Sequence, residues 1–191
     1  MSSERFRGKP LTGPDAPSWR FARVVKSTIG RFLLVLWRVD LKGWEHVPEG
    51  GAILAGNHVS HLDPVLLWCS MRRPTHFVAK IELWDIKPLG WFLDHVWAFP
   101  VRRGTADREM ITTASGLLSG GDLVGMFPEG TRSHDGGEEL GEAHGGVAFL
   151  ALRTGVPVVP VGIAGTECFE IIRRIGKNSL ALNFLRHRFC A

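Results

Sequence analysis

Tyrosine is absent from all 191 residues, although the chain holds seven tryptophans and eleven phenylalanines, so no phenol is on hand for acid–base or nucleophilic work. Cysteine is scarce as well. Cys69, Cys168 and Cys190 are odd in number, far apart and in no Cys-x-x-Cys pair, which excludes a disulfide framework and reads as reduced, structural thiols of a cytoplasmic protein. The longest uncharged apolar run near the N-terminus is Phe32–Trp37, six residues against the roughly 20 that cross a bilayer, so a membrane-spanning helix is excluded. The first 17 residues are polar and carry Pro10, Pro14 and Pro17, which is not the pattern of a signal peptide. No Gly-x-Ser-x-Gly elbow is present, which argues against a serine hydrolase. Internal repeats and low-complexity tracts are absent too.

What is present fits one compact domain with an appendage. Hydrophobic residues make up 45% of the chain and charged residues 22%, with a net charge of +4 and a sequence pI near 9.3. The positive charge is concentrated early. Residues 1–45 hold nine Lys/Arg against four Asp/Glu, a surplus of five that exceeds the surplus of the whole chain. Residues 1–17 read as disordered. From Ser18 to Val39 the pattern predicts an amphipathic helix, with Trp19, Phe21, Val24, Ile29, Phe32 and Leu36 among its apolar positions and Arg20, Arg23, Lys26, Arg31 and Arg38 among its basic ones. Such a segment can lie in a lipid headgroup region, bury aromatic rings and reach phosphates with arginine. It can also pack on its own domain, and the two arrangements are compatible if each uses a different face.

Beyond residue 40, apolar strand-like and helix-like stretches alternate. Strands are expected at 52–57, 76–79, 96–101, 122–127, 157–163 and 179–184. Helices are expected at 64–71, over a broken stretch at 81–94, at 105–119, and at 142–154 ending at Gly155. The alternation predicts an α/β fold with a single mixed, largely parallel sheet flanked by helices, occupying 43–191, behind an N-terminal membrane-docking helical segment at 18–42. Ligands of open α/β sheets gather at the carboxyl ends of the strands.

Two motifs fall at such ends. In Asn57-His58-Val59-Ser60-His61-Leu62-Asp63-Pro64, a histidine and a carboxylate are separated by four residues, between the apolar run Ala52–Ala55 and the helix-like run Val65–Trp68. A continuous helix would place the pair roughly 140° apart. Asp is a favoured N-cap and Pro a favoured first helical residue, so the helix is expected to begin at Pro64 and leave His58 in the preceding turn, free to fold over Asp63. Histidine can act as a base near neutral pH, and a neighbouring carboxylate can orient its ring and stabilise the imidazolium. The second motif, Phe127-Pro128-Glu129-Gly130-Thr131-Arg132-Ser133, follows the apolar strand 122–126 with a tight turn bracketing a carboxylate and a guanidinium. Arginine suits bidentate phosphate recognition, and the turn supplies backbone N–H groups.

Together these motifs resemble those of the glycerolipid acyltransferase family, in particular the PlsC-like 1-acylglycerol-3-phosphate acyltransferases. Two further blocks occur in the family's order: Ala98-Phe99-Pro100-Val101-Arg102-Arg103-Gly104, and Val156-Pro157-Val158-Val159-Pro160-Val161. The resemblance covers residues 40–170. It implies transfer of a fatty acyl group from a thioester, acyl-CoA or acyl-carrier protein, to the sn-2 hydroxyl of 1-acylglycerol-3-phosphate (lysophosphatidic acid). His58 would be the base and Asp63 its orienting carboxylate. Arg103, Arg132 and Lys80 would hold the phosphate, with Glu129, Gly130 and Thr131 completing the substrate-binding turn. No cofactor, metal or nucleic acid is implied, and the enzyme would sit peripherally on the cytoplasmic face of the cell membrane. Arg102 departs from the family pattern, so either Arg102 or Arg103 can face the substrate. The tail Leu185–Ala191 departs too, and suggests an altered or truncated end. Another lysophospholipid or a glycolipid stays open as acceptor. His58, His61 and Asp63 also leave open a metallohydrolase, although the pattern His-x-His-x-Asp-His is not met and no later ligand cluster follows. Trp84, Trp91, Phe92 and Trp97 read as core or as an acyl-binding or membrane-facing surface.

Overall fold

The structure, a computed structural model, describes residues 19–102, 107–132 and 141–166. The expected disordered segment 1–17, the strand at 179–184, Cys168, Cys190 and the chain's tail lie outside the described residues.

Five strands, β1 (Ala52–Gly56), β2 (Thr75–Lys80), β3 (Ala98–Val101), β4 (Leu123–Met126) and β5 (Val158–Val161), form one sheet in the order β3-β2-β4-β1-β5. Every pairing among the described strands is parallel, in line with the largely parallel sheet expected and with no antiparallel strand among the described ones. The cause is the connections, because each of the four that join successive described strands is a crossover that returns the chain to the same edge. All four carry a helix: α3 (Asp63–Ser70), α4 (Lys87–His95), α5 (Arg108–Ser119) and α6 (Gly146–Thr154).

Both faces of the sheet are covered, so Ala52, Ile53 and Leu54 are buried in succession rather than alternately. Ala52, Leu54, Phe77 and Leu123 pack with Leu67 and Trp68 of α3 on one side. Ile53, Phe99 and Val124 pack with Leu117 and Leu118 of α5 and Leu150 of α6 on the other. Gly125 is needed in this arrangement: a Cβ there would lie 2.1 Å from Cε1 of Phe77. Pro100 and Pro160 fall in β3 and β5, the two outer strands of the described sheet, where a missing N–H does least harm.

Several boundaries differ from the sequence reading. Helix α5 begins at Arg108 rather than 105, because the Asp107 side chain caps it by accepting from the N–H groups of Glu109 and Met110. Helix α6 begins at Gly146 rather than 142. The break expected within 81–94 falls at Ile86, between a 3-10 turn over Ile81–Asp85 and α4, with Pro88 in the first turn of that helix.

The single helix expected from 18 to 39 is instead α1 (Trp19–Val25), a π-helical turn (Lys26–Gly30) and α2 (Arg31–Leu36). The π turn coincides with close packing on α3, since a Cβ on Gly30 would sit 3.1 Å from Cys69 Sγ. Lys26 points inward from the same turn, donates to the Arg73 carbonyl at 3.1 Å and lies 5.4 Å from the centre of the Trp68 ring. Burial lowers the pKa of Lys26 to about 8, with an opposing contribution from Cys69. Ala22 and Gly30 are buried on this inner side, whereas Val24, Ile29, Phe32 and Val35 are exposed on the outer one. No helix among the described residues is long and apolar enough to cross a membrane.

Candidate active site

In a fully parallel sheet all carboxyl ends share one edge, and β1 and β4 are neighbours within it. The loops leaving them, 57–62 and 127–132, therefore meet. Helix α3 begins at Asp63, one residue earlier than expected, and the Asp63 side chain does not cap it. The carboxylate turns back toward the preceding loop instead. Its Oδ2 accepts from the N–H groups of Val59 (2.6 Å) and Ser60 (2.7 Å) and pairs with His58 Nδ1 at 3.0 Å. A carboxylate only accepts, so Nδ1 carries the proton and the lone pair of a neutral ring is left on Nε2.

Asp63 is fully buried. Burial alone would raise its pKa. Hydrogen bonds from His58, the Ser60 N–H and the Val59 N–H, with the Thr166 hydroxyl nearby acting in the same direction, outweigh that effect and hold it below the ordinary carboxylate value of 3.8. The site thus keeps a charged carboxylate out of water, aimed at one imidazole. His58 itself is more enclosed than an open-surface base would be, its side chain 11% exposed. Its Nε2 makes no hydrogen bond among the described residues and is not among their sealed, unpaired atoms. Any reactant therefore meets the ring at a narrow opening.

The second motif supplies the wall of that opening. The Phe127 ring stacks on His58 with centroids 4.3 Å apart and planes inclined by 25°. Glu129, nearly buried, accepts the His58 backbone N–H through Oε1 at 3.3 Å. Gly130 has φ +64, in the left-handed region that glycine tolerates, and a Cβ there would stand 2.9 Å from His144 Cδ2. The His144 N–H closes the turn by donating to the Pro128 carbonyl at 2.8 Å. Thr131 is exposed and Arg132 half-buried at the end of this turn.

Other expected site residues are placed less closely. Lys80 ends β2 on the same edge of the sheet, is exposed, and pairs with Glu82 at 3.3 Å. Arg102 follows β3 and turns toward the start of α5, with Nη1 3.6 Å from Glu109 and 4.0 Å from Asp107. Arg103 lies outside the described residues. Both ends of its loop meet at Asp107, which caps α5 and accepts the Arg102 N–H at 2.8 Å.

A second buried His–Asp pair needs to be told apart from the first. His76 Nε2 lies 3.3 Å from Asp122, and Nδ1 lies 3.1 Å from the Trp97 carbonyl. Both nitrogens face acceptors and the residue is fully buried, so neither can receive a proton from a reactant. His76 and Asp122 also sit at the amino ends of β2 and β4, the edge of the sheet opposite His58. His61, two residues from Asp63, is exposed while Asp63 is sealed. Among the described residues no group of three or more His, Cys, Asp or Glu is placed to hold a metal ion.

The profile of the acyltransferase family matches residues 38–164, which include both loops. The chain belongs to the acyltransferase family. Within the family it is similar to the chloroplastic 1-acyl-sn-glycerol-3-phosphate acyltransferase BAT2 of Brassica napus, 32% identical over 134 residues that make up 68% of this chain and 38% of the relative. The 1-acyl-sn-glycerol-3-phosphate acyltransferase of Bacillus subtilis is 31% identical, over 75% of this chain and 71% of its own. Among solved structures, the lysophosphatidic acid acyltransferase PlsC of Thermotoga maritima superposes with a TM-score of 0.60 at 30% identity, over 76% of this chain and 58% of that one. The chain thus spans well under half the length of the plant relative and little more than half that of the bacterial structure.

Two features of this acyltransferase-family chain have no clear signal in its sequence. Phe127 could be read as the end of a strand, and nothing in its neighbours announces that it stacks on His58. Thr166, buried beside Asp63, follows β5 in a loop with no motif of its own. Asp107 did carry a signal, since an Asp two residues before Glu109 is a common helix N-cap. Of the four aromatic residues left open, Trp97 is core, Trp84 donates to Asp94 at 2.7 Å, and Trp91 and Phe92 are exposed.

Proposed function

We propose that this chain transfers a fatty acyl group from a thioester to the sn-2 hydroxyl of 1-acylglycerol-3-phosphate, giving phosphatidic acid. The observation that carries the reading is the single cluster formed by His58, Asp63 and Glu129, in which one motif's carboxylate holds the other motif's histidine by its backbone. His58 Nε2 takes the proton of the acceptor hydroxyl as its oxygen attacks the thioester carbonyl. The C–S bond then breaks, and the departing thiolate recovers a proton from the imidazolium. Asp63 fixes the tautomer and stabilises the imidazolium. A thioester is already activated, so no cofactor and no covalent enzyme intermediate is required. Acyl-CoA or acyl-carrier protein serves as co-substrate.

Arg132, Arg103 and Lys80 hold the acceptor's phosphate, and the turn Glu129-Gly130-Thr131 brings its backbone close to the glycerol. Arg102 is committed to the acidic residues at the start of α5, which favours Arg103 as the phosphate ligand of that loop. Acceptor and product are amphiphiles, and the chain docks on the cytoplasmic leaflet to reach them. Support comes from the exposed Val24, Ile29, Phe32 and Val35, which continue toward α4 through the edge-on contact of Phe21 with Trp91 at 5.4 Å. Arginines 20, 23, 31 and 38 flank this face, each basic residue near an anionic surface contributing about 1 kcal/mol.

The test is an assay of the purified full chain with lysophosphatidic acid, lysophosphatidylcholine and a lysoglycolipid against acyl-CoA and acyl-carrier-protein donors, products resolved by mass. Phosphatidic acid is the expected product. Acylation of only the other acceptors would remove the phosphate assignment, and no acyl transfer with any pair would remove the reading.

A further inference from the structure

Asp63 has one oxygen that the site does not account for. Oδ2 serves His58 and two backbone N–H groups, whereas Oδ1 is sealed from solvent and makes no hydrogen bond among the described residues. The Thr166 hydroxyl is in the same condition, buried with no partner of ordinary hydrogen-bond geometry. Two orphaned polar atoms inside one protein are costly, unless each is the other's partner after a small rotation. The loop carrying Thr166 is held in place for that. The Asn57 side chain donates to the Ile163 carbonyl at 2.8 Å and accepts the Ile163 N–H at 2.7 Å, which prolongs the β1–β5 pairing one step past Gly56 and Val161.

We infer that Thr166 is a positioning residue of the active site, donating its hydroxyl proton to Asp63 Oδ1 and fixing the carboxylate in the plane that pairs with His58. The sequence then joins three separate segments: Asn57 pins the loop after β5, that loop delivers Thr166, and Thr166 locks Asp63. The lowered pKa of Asp63, to which the hydroxyl contributes, agrees with this. The inference rests on the reading of His58 as the base.

Thr166→Val keeps the shape of the side chain and removes the donor; Thr166→Ser keeps the donor. In the lysophosphatidic acid assay Thr166→Val lowers kcat about tenfold, the loss of roughly one hydrogen bond to a charged group, and leaves the acceptor KM unchanged. Among the described residues, the ionisable groups that hydrogen bonds tie to this cluster are His58, paired with Asp63, and Glu129 of the β4 loop, which accepts the His58 N–H, while His61, two residues from Asp63, is exposed. Without the donor, the carboxylate's charge bears more fully on His58 and the carboxyl itself protonates more readily. Both effects move the acid limb of the kcat/KM profile to higher pH, and Thr166→Ser restores kcat and the limb.

Wild-type activity in Thr166→Val, or equal impairment in Thr166→Ser, overturns the inference. Should Thr166→Val not fold, the wild-type protein decides by NMR. A Thr166 hydroxyl proton exchanging slowly with water and close to its own methyl supports the inference, and a fast-exchanging one overturns it. Failure of the underlying reading looks different: wild-type protein without acyl transfer, or His58→Ala with full activity, leaves the NMR result standing by itself.

Discussion

Replacing Asp63 with asparagine preserves volume and removes one charge from a site where that charge has few substitutes. The imidazolium formed in the reaction would lie about 4 Å from the carboxylate, a separation worth about 4 kcal/mol at an effective dielectric constant near 20. Converted to rate, that is roughly a thousandfold in kcat. The substitution also turns three hydrogen bonds to a carboxylate oxygen, at 2.6, 2.7 and 3.0 Å, into bonds to a neutral amide. Each loses about 1 kcal/mol, partly offset because a buried amide is cheaper to desolvate than a buried carboxylate. The net expectation is a folded protein destabilised by about 1–2 kcal/mol, and a kcat reduced far more than stability alone explains. Steady-state kinetics with lysophosphatidic acid, alongside thermal melts followed by circular dichroism, separate the two. A folded Asp63→Asn protein within tenfold of wild-type kcat would refute the argument that this carboxylate supports a charged His58.

Arg132→Ala is expected to raise the acceptor KM at least tenfold, the loss of one charge-assisted contact to phosphate, with little change in the acyl-donor KM; a rise confined to the donor would reassign the arginine. Gly130→Ala forces a side chain into φ +64 and toward His144 Cδ2, at a cost of about 1–2 kcal/mol; the melting temperature should fall, and adding His144→Ala should recover only the steric part. The pKa of Asp63 is depressed in the folded chain, so its contribution to stability is complete above the unfolded value of 3.8 and is lost as pH falls through the lower folded value. Urea midpoints measured against pH should therefore drop more steeply below about pH 4 in wild type than in Asp63→Asn, and parallel curves would contradict the direction of the shift.

The parallel framework was legible because β1, β2 and β4 are short apolar runs separated by helical patterns. The loops His58–Asp63 and Phe127–Arg132 were legible because their residue types announce a turn, a base and an anion-binding side chain. Orientation was not. Asp63-Pro64 has the sequence of a helix cap, yet the carboxylate turns away from its own helix to collect three donors, His58 Nδ1 and the N–H groups of Val59 and Ser60, from the loop before it. The helix expected over 18–39 is interrupted where Lys26 and Gly30 pack against α3 and the residues after it, and no local pattern encodes a partner about 40 residues away. Thr166 is the extreme case, a residue without a motif whose position depends on Asn57 over a hundred residues earlier.

The most direct measurement is acyl transfer by His58→Ala. With lysophosphatidic acid and the preferred thioester, wild type should form phosphatidic acid and the folded variant should form none above the uncatalysed background. Phosphatidic acid made by folded His58→Ala at the wild-type rate would contradict the central claim.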